Sequence, residues 1–515
     1  MRHGAWTFGI AILVGTCCFS GCSKDEEEPK GGGLGDSCDP ASDDSCGEGL
    51  TCSTDANDAS VCAYAAGSAC DPETENGSCA TGLVCEEMDA GGQRCFPPVV
   101  LRGIVTDTTD ASPIDQAHVI AIDQEGVAVS DVAVTGEDGA YSLTVPVARH
   151  DDGSPVDATF TLRAGAQDYQ SFPSGIRVAL PISSTEAESE DVGYVVDNAL
   201  TEVGLIPLPE GDRYWITGSI AGVGEDSELG GVLVLAVGDA GAFSAVTDRS
   251  GNYTIFNVPD GDYEIQGYAA GLQIESSSVS VSGEAELDTS LTELDSETTT
   301  VQGNIQIVNA PGGAVTSVIL VVEATFDPDA ARGEVPRGLR APLTGPPNVD
   351  GDFTIEGVPD GTYVVLAAWE NDDLVRDPDT NIAGTDFVTV DVVGGAGTYT
   401  IPDSFKVTEA LELFGPGAET PEPVDGPPTL RWADDSSEEW YEVRVFDAFG
   451  NEVWSALDVP GASGVDEVTI DYDGPLDPGM YYQFRVTSWR APGGADPSAI
   501  SATEDLRGVF YLPAP

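Results

Sequence analysis

Apolar and polar residues alternate through Tyr253-Thr254-Ile255, and alternate again after Val258-Pro259-Asp260-Gly261-Asp262-Tyr263. A period of two predicts a half-buried β-strand, and Gly251 and the Pro-Asp-Gly triplet predict the turns that enter and leave it. The pattern returns at the same spacing in Asp350-Gly351-Asp352-Phe353-Thr354-Ile355 and Val358-Pro359-Asp360-Gly361-Thr362-Tyr363, with a weaker copy at Asp138-Gly139-Ala140-Tyr141-Ser142-Leu143. Each copy reads as one hairpin of a β-sandwich. Its Gly and Pro-Asp-Gly positions answer a backbone need and its Tyr and Ile pack a core, so the repeat is scaffold. Function is therefore expected where the copies differ.

Each hairpin is preceded by a strand with a central glycine, Leu101-Arg102-Gly103-Ile104-Val105, Ile216-Thr217-Gly218-Ser219-Ile220 and Val301-Gln302-Gly303-Asn304-Ile305. A second, continuously apolar strand follows in each, at Ala117 to Ile122, Gly231 to Val237 and Val315 to Ala324. This order of strands and turns resembles the carboxypeptidase regulatory-like family over 99–208, 213–295 and 298–408. The resemblance implies three seven-stranded, transthyretin-like sandwiches. The first copy replaces the Pro-Asp-Gly turn by Pro146 to Ala158, including His150-Asp151-Asp152-Gly153, and the third carries an insertion from Phe326 to Asn348. Both are expected to project as loops at a sandwich end, where binding usually resides.

Prolines 416, 421, 423, 427 and 428 mark 409–428 as an expected linker. Beyond it, over 429–513, Leu430-Arg431-Trp432, Trp440-Tyr441-Glu442-Val443-Arg444-Val445 and Tyr481-Tyr482-Gln483-Phe484-Arg485-Val486 resemble three strands of a fibronectin type III domain. Alternating large residues with a buried Trp suit a sandwich core. The expected fold class is all-β, tandem seven-stranded sandwiches preceded by small disulfide-rich modules.

Those modules occupy 35–97, where Cys38, Cys46, Cys52 and Cys62 have nearly the same spacing as Cys70, Cys79, Cys85 and Cys95. An even count in small, hydrophobe-poor units argues for disulfides. Four cysteines allow three connectivities per module, and first-to-third with second-to-fourth is the one taken forward. Zinc is disfavoured by the absence of Cys-x-x-Cys pairs and nearby His. The modules resemble short Cys-rich repeats of secreted and surface proteins, which implies a structural or protein-contact role.

The chain opens with a basic start and an apolar run from Ala5 to Phe19, a signal-peptide pattern over 1–21. Phe19-Ser20-Gly21-Cys22 resembles a bacterial lipobox, which implies that Cys22 is lipidated. Ser23 in the next position then implies export to the outer membrane, with 22–34 as an acidic, Gly-rich tether. No other apolar run is long enough to span a bilayer, so the membrane partner would be reached through the lipid alone.

Across 515 residues, 89 Asp and Glu stand against 20 Lys and Arg, a net charge of −69. Nucleic acid is not expected as a partner, because phosphate binding needs clustered cations. The length predicts three to five domains. The acids are read as solvation of sheet faces and protection of strand edges. Calcium is weakly supported: Asp377-Pro378-Asp379-Thr380-Asn381 alternates like a calcium loop, but Ile382 stands where the turn glycine is needed.

Catalysis and cofactors are not expected. A metallopeptidase zinc site needs two His and a Glu, whereas only His118 and His150 follow the leader and neither lies in a His-x-x-Glu pattern. No Gly-x-Ser-x-Gly elbow is present, and carboxylates are too abundant for any pair to stand out. The expected function is non-catalytic presentation or spacing of binding surfaces, in adhesion or envelope assembly. The alternative is polysaccharide binding on aromatic platforms, with Trp215, Tyr268, Trp369 and Trp454 as candidates, of which Tyr268 and Trp369 lie just past the Pro-Asp-Gly hairpin strand; a hydrolase hidden among the carboxylates is a weaker alternative.

Overall fold

The computed structural model describes residues 31–515 apart from 43–44, 55–58, 72–77, 174–178, 180, 191–192, 224–227, 284–285, 309–315, 329–332, 344–347, 371–374, 377–386, 396, 403–404, 409–410, 419–420, 436–437, 448–451, 463, 492, 494–496, 504–506 and 514–515. The signal-peptide region, Cys22, most of the tether and the calcium-like loop lie outside the described residues. The chain divides into two compact units, residues 1–85 with 93–96, and residues 86–92 with 97–515.

In the first unit the short strands Leu50–Thr54 and Ser60–Tyr64 form a hairpin with Cys52 opposite Cys62. Four disulfides close the modules, Cys38–Cys52, Cys46–Cys62, Cys70–Cys85 and Cys79–Cys95, first to third and second to fourth in each. Each spans 14 to 16 residues. A bridge over about 15 residues contributes roughly 3 kcal/mol, large beside the little apolar surface such units bury. The end of the expected tether is docked here, with Gly32 N donating to Ser45 O at 2.8 Å.

The second unit holds tandem β-sandwiches. In the first, Val99–Asp107 is the central strand of one sheet. It pairs antiparallel with Ala140–Val145 and parallel with Gly193–Val196 and Val203–Pro207. The facing sheet is built on His118–Asp123 and Thr159–Gly165. The second sandwich repeats this with Tyr214–Ala221 against Asn252–Val258, faced by Leu233–Gly238 between Gly241–Val246 and Gly261–Tyr268. The third uses Thr299–Val308 against Asp352–Val358, faced by Ser317–Val322 and Gly361–Glu370.

The central glycines now have a cause. Gly103, Gly218 and Gly303 stand directly across from Tyr141, Tyr253 and Phe353. In the first two copies the tyrosine hydroxyl donates to a carbonyl of the returning connection, Thr201 O and Thr289 O. A Cβ on Gly218 would lie 1.8 Å from Thr289 O and 2.5 Å from the Tyr253 hydroxyl. Only glycine leaves room for that crossing.

The continuously apolar strands reflect burial on both faces. Val234 and Ala236 face the second sandwich's own core, while Leu233 and Leu235 join the core of the third. Hence the second and third sandwiches are welded through a shared apolar layer.

The last sandwich departs from the expected boundary. The stretch 409–428 is no free linker: Leu413–Gly415 pairs with Thr429–Ala433, and Glu422–Pro423 pairs with Val509–Tyr511. Leu411 and Leu413 enter the core around the fully buried Trp432. Edge strands tolerate Pro because one side of the ladder needs no N–H, so a Pro-rich segment can still finish a sandwich.

Candidate functional site

The copies differ most at their joints, and one local irregularity prepares them. In the second sandwich the pairing slips between Tyr214 and Ile216, opposite Val258 and Ile255, so that Phe256 and Asn257 form a β-bulge. The third slips at the equivalent place, between Thr299 and Val301. In each bulge one residue takes the left-handed conformation, Asn257 (φ 64) and Gly357 (φ 73). These are residue types that accept it. The first copy runs in unbroken register from Val99 opposite Val145 to Ile104 opposite Ala140, and has no such residue.

Each bulge meets the turn after a long strand of the preceding copy. Asp168 N donates to Asn257 Oδ1 at 2.6 Å, and Asn257 Nδ2 donates to Tyr169 O at 2.8 Å and Ala166 O at 3.1 Å. In the next joint the backbone does the same work. Gly271 N donates to Gly357 O at 2.7 Å, and a Cβ on Gly357 would stand 2.6 Å from Gly271 N. Asp168 (φ 67) and Gly271 (φ 81) share the left-handed conformation in the two turns. Gln273 adds a reciprocal pair to Asp360, through its side-chain amide and the Asp360 N–H, both at 3.1 Å.

The insertions are used in the same way. From the third sandwich, Glu334 reaches Arg163 of the first at 2.9 Å and accepts from Ser244 Oγ of the second at 2.8 Å. Burial pushes the Glu334 carboxyl up, but the Arg163 charge and the hydrogen bonds from Arg163 and Ser244 outweigh it and hold it below the usual carboxylate value. Arg337 pairs with Glu228 at 3.2 Å and its carbonyl accepts from Ala270 N at 2.8 Å. The described part of this insertion therefore closes against neighbours.

In the first copy, residues 147–155 grip the hairpin tip 86–92. Val147 N donates to Glu86 Oε2 at 3.0 Å, Arg149 N to Glu87 O at 2.8 Å, and Asp89 N to Arg149 O at 2.9 Å. Arg149 is fully buried, its guanidinium 5.3 Å from the centre of the Tyr194 ring and donating to Pro97 O at 2.8 Å. Burial raises the Glu86 carboxyl to about 7, partly opposed by the Arg149 charge and the Val147 N–H.

The histidines serve these joints. His150 Nδ1 lies 2.7 Å from Asp89 Oδ2 in the clasp. His118 stands edge-on to Phe256 at 5.0 Å, and burial lowers its pKa. It lines a cleft of about 50 Å³ with Arg163, Ser244 and Phe256. Ligand pockets are several-fold larger, on the order of 300 Å³ and above.

The aromatic candidates separate. Tyr268 is not an exposed platform: it is 7% exposed, packs edge-on to Tyr363 at 6.1 Å and donates to Gln266 Oε1. The third sandwich covers the face that strand alternation left open. Trp369 lies in the strand Gly361–Glu370, and its side chain is outside the described residues. Trp215 is half-buried, as is Trp454, which donates to Asp473 Oδ1 at 2.5 Å.

The structure adds a pair the sequence reading passed over. Trp440 and Trp489 are cross-strand neighbours with centroids 6.2 Å apart and ring planes within 10° of parallel. The signal was the Trp440-Tyr441 doublet, since only one of two successive strand residues can face the core.

The fold and joints define a multidomain, all-β sandwich protein with a disulfide-rich N-terminal part. No family model matches the chain, and no curated protein sequence matches it. Among solved structures it is similar to the Bacillus anthracis TIE protein, at 12% identity and TM-score 0.15, covering 77% of this chain and 65% of that one, just under two thirds of its length. It is also similar to a streptococcal ancillary pilin, at 13% identity and TM-score 0.16, covering 60% of this chain and 98% of that one. A third is GBS52, the minor pilin of Streptococcus agalactiae, at 14% identity and TM-score 0.17, covering 38% and 96%.

Proposed function

We propose that this chain is a non-catalytic, lipid-anchored protein of the bacterial envelope. Carboxypeptidase regulatory-like sandwiches and a fibronectin type III-like end together form one presenting platform. The observation that carries the reading is the fate of the two insertions. Residues 147–155 and 333–337, the places where a site was expected, close onto neighbouring elements through Glu86, Arg163 and Ser244. Loops used this way hold surfaces in fixed relation. Each such joint adds interactions that an independent string of domains lacks.

In this reading Cys22 carries the lipid, 23–30 gives reach, and the protein resides in the outer membrane, with polysaccharide or another envelope protein as its partner. The test is fractionation of cells carrying the native chain and its Cys22→Ser variant. The native protein is expected in the membrane fraction and the variant in the soluble one. Identical partition of the two would overturn the anchor.

A further inference from the structure

The last sandwich carries more large side chains than its core uses. On the inner face of its larger sheet, Tyr441, Val443, Val445, Phe484 and Val486 are all fully buried. Strand alternation then sends Trp440, Glu442 and Arg444, with Thr487 and Trp489 across from them, to the other face. Register sets them in rows, Trp440 opposite Trp489, Glu442 opposite Thr487 and Arg444 opposite Arg485. Outer faces of sheets are normally polar, so a parallel pair of half-buried indoles there stands out from its surroundings.

We propose that this row is a binding site for an uncharged polysaccharide. It deepens the platform reading, on which it rests for polysaccharide as the partner the platform presents a surface to. Trp489 packs against Ala499 and Ala502, and Trp440 stands parallel to it, both indoles half-buried. A flat, partly buried indole offers an apolar face to the C–H side of a sugar ring. Beside it, Arg444 is held between Glu442 at 3.3 Å and Glu452 at 2.6 Å, fixed donors and acceptors of the kind hydroxyl groups require. Charge selects the class of ligand: the guanidinium is already matched by carboxylates, and a net charge of −69 repels a polyanion.

The experiment uses the detergent-solubilised full chain and its Trp440→Ala and Glu442→Gln variants. Retention is measured on cellulose, chitin and starch, with mobility in gels containing a soluble neutral β-glucan or alginate. The native chain is expected to bind at least one neutral polymer, Trp440→Ala to bind roughly tenfold more weakly, and Glu442→Gln a few-fold more weakly. Both variants should melt like the native chain; if Trp440→Ala does not, Glu442→Gln and Thr487→Val decide. No retention on any neutral polymer overturns the site. So do equal retention by the variants, retention on alginate alone, or self-association that Trp440→Ala abolishes. Release of reducing ends with binding intact would instead overturn the non-catalytic reading and leave the site standing.

Discussion

Arg163 of the first sandwich is ion-paired with Glu334 of the third, 171 residues later, and both hydrogen-bond to Ser244 of the second. The pair is partly buried, so removing one partner leaves a charge poorly solvated, whereas replacing both removes the demand. Glu334→Gln is expected to lower stability by about 1–2 kcal/mol, and Arg163→Met with Glu334→Leu by less than either single change. Urea unfolding of the native chain, Arg163→Met, Glu334→Leu and the double variant gives the double-mutant cycle. Strictly additive losses would mean that the pair does not couple the sandwiches.

Asn257 tests the first of the repeated joints. Asn257→Gly keeps the left-handed backbone but strips the partners from Asp168 N, Tyr169 O and Ala166 O, a loss of about 1–3 kcal/mol. Asn257→Ala adds the left-handed penalty of roughly 1 kcal/mol. The order native, Gly, Ala in denaturant midpoint is the expected result. A glycine variant as stable as the native chain would show that the amide is incidental.

Gly218 and Tyr253 test the crossing that recurs in the first two copies. Gly218→Ala places Cβ 1.8 Å from a backbone oxygen and should prevent the second sandwich from folding, whereas Gly241→Ala meets nothing within 4 Å and suffers only from its φ of +116. Tyr253→Phe leaves Thr289 O without that donor, which costs about 1–2 kcal/mol. Circular dichroism and thermal melts rank the three. A well-folded Gly218→Ala chain would refute the packing argument.

The clasp at Glu86 is expected to depend on pH. Its carboxyl titrates near 7 in the folded protein against 4.5 in the open chain, so the folded form binds the proton more tightly. The stabilisation is complete below about 4.5 and is lost as pH rises through about 7, at most about 3 kcal/mol. Amide exchange at Val147 and Arg149 should be slower at pH 5 than at pH 8 after correction for the intrinsic rate. Glu86→Gln should flatten that difference while leaving the His150–Asp89 pair intact. A persistent difference in the variant would assign the effect elsewhere.

Much of the architecture was legible in local patterns. Alternation around Tyr253 and Phe353, with glycine and Pro-Asp-Gly at fixed spacing, encodes strands and turns because both depend on neighbours in the chain. The cysteine spacing likewise marked two small modules. Tyr268 was misread because alternation tells which face a side chain takes, not what covers that face. The prolines of 409–428 were misread because an edge strand tolerates them.

By itself, then, the sequence determined the strand order, the repeated hairpin, the modules and the acidic, cation-poor surface, all set by residue type and short-range spacing. Tertiary structure decided that Leu233 and Leu235 weld two cores, that residues 147–155 and 333–337 serve as clasps, and that Trp440 meets Trp489. Those outcomes rest on register between strands distant in the chain and on burial by a neighbouring sandwich, which no local period records.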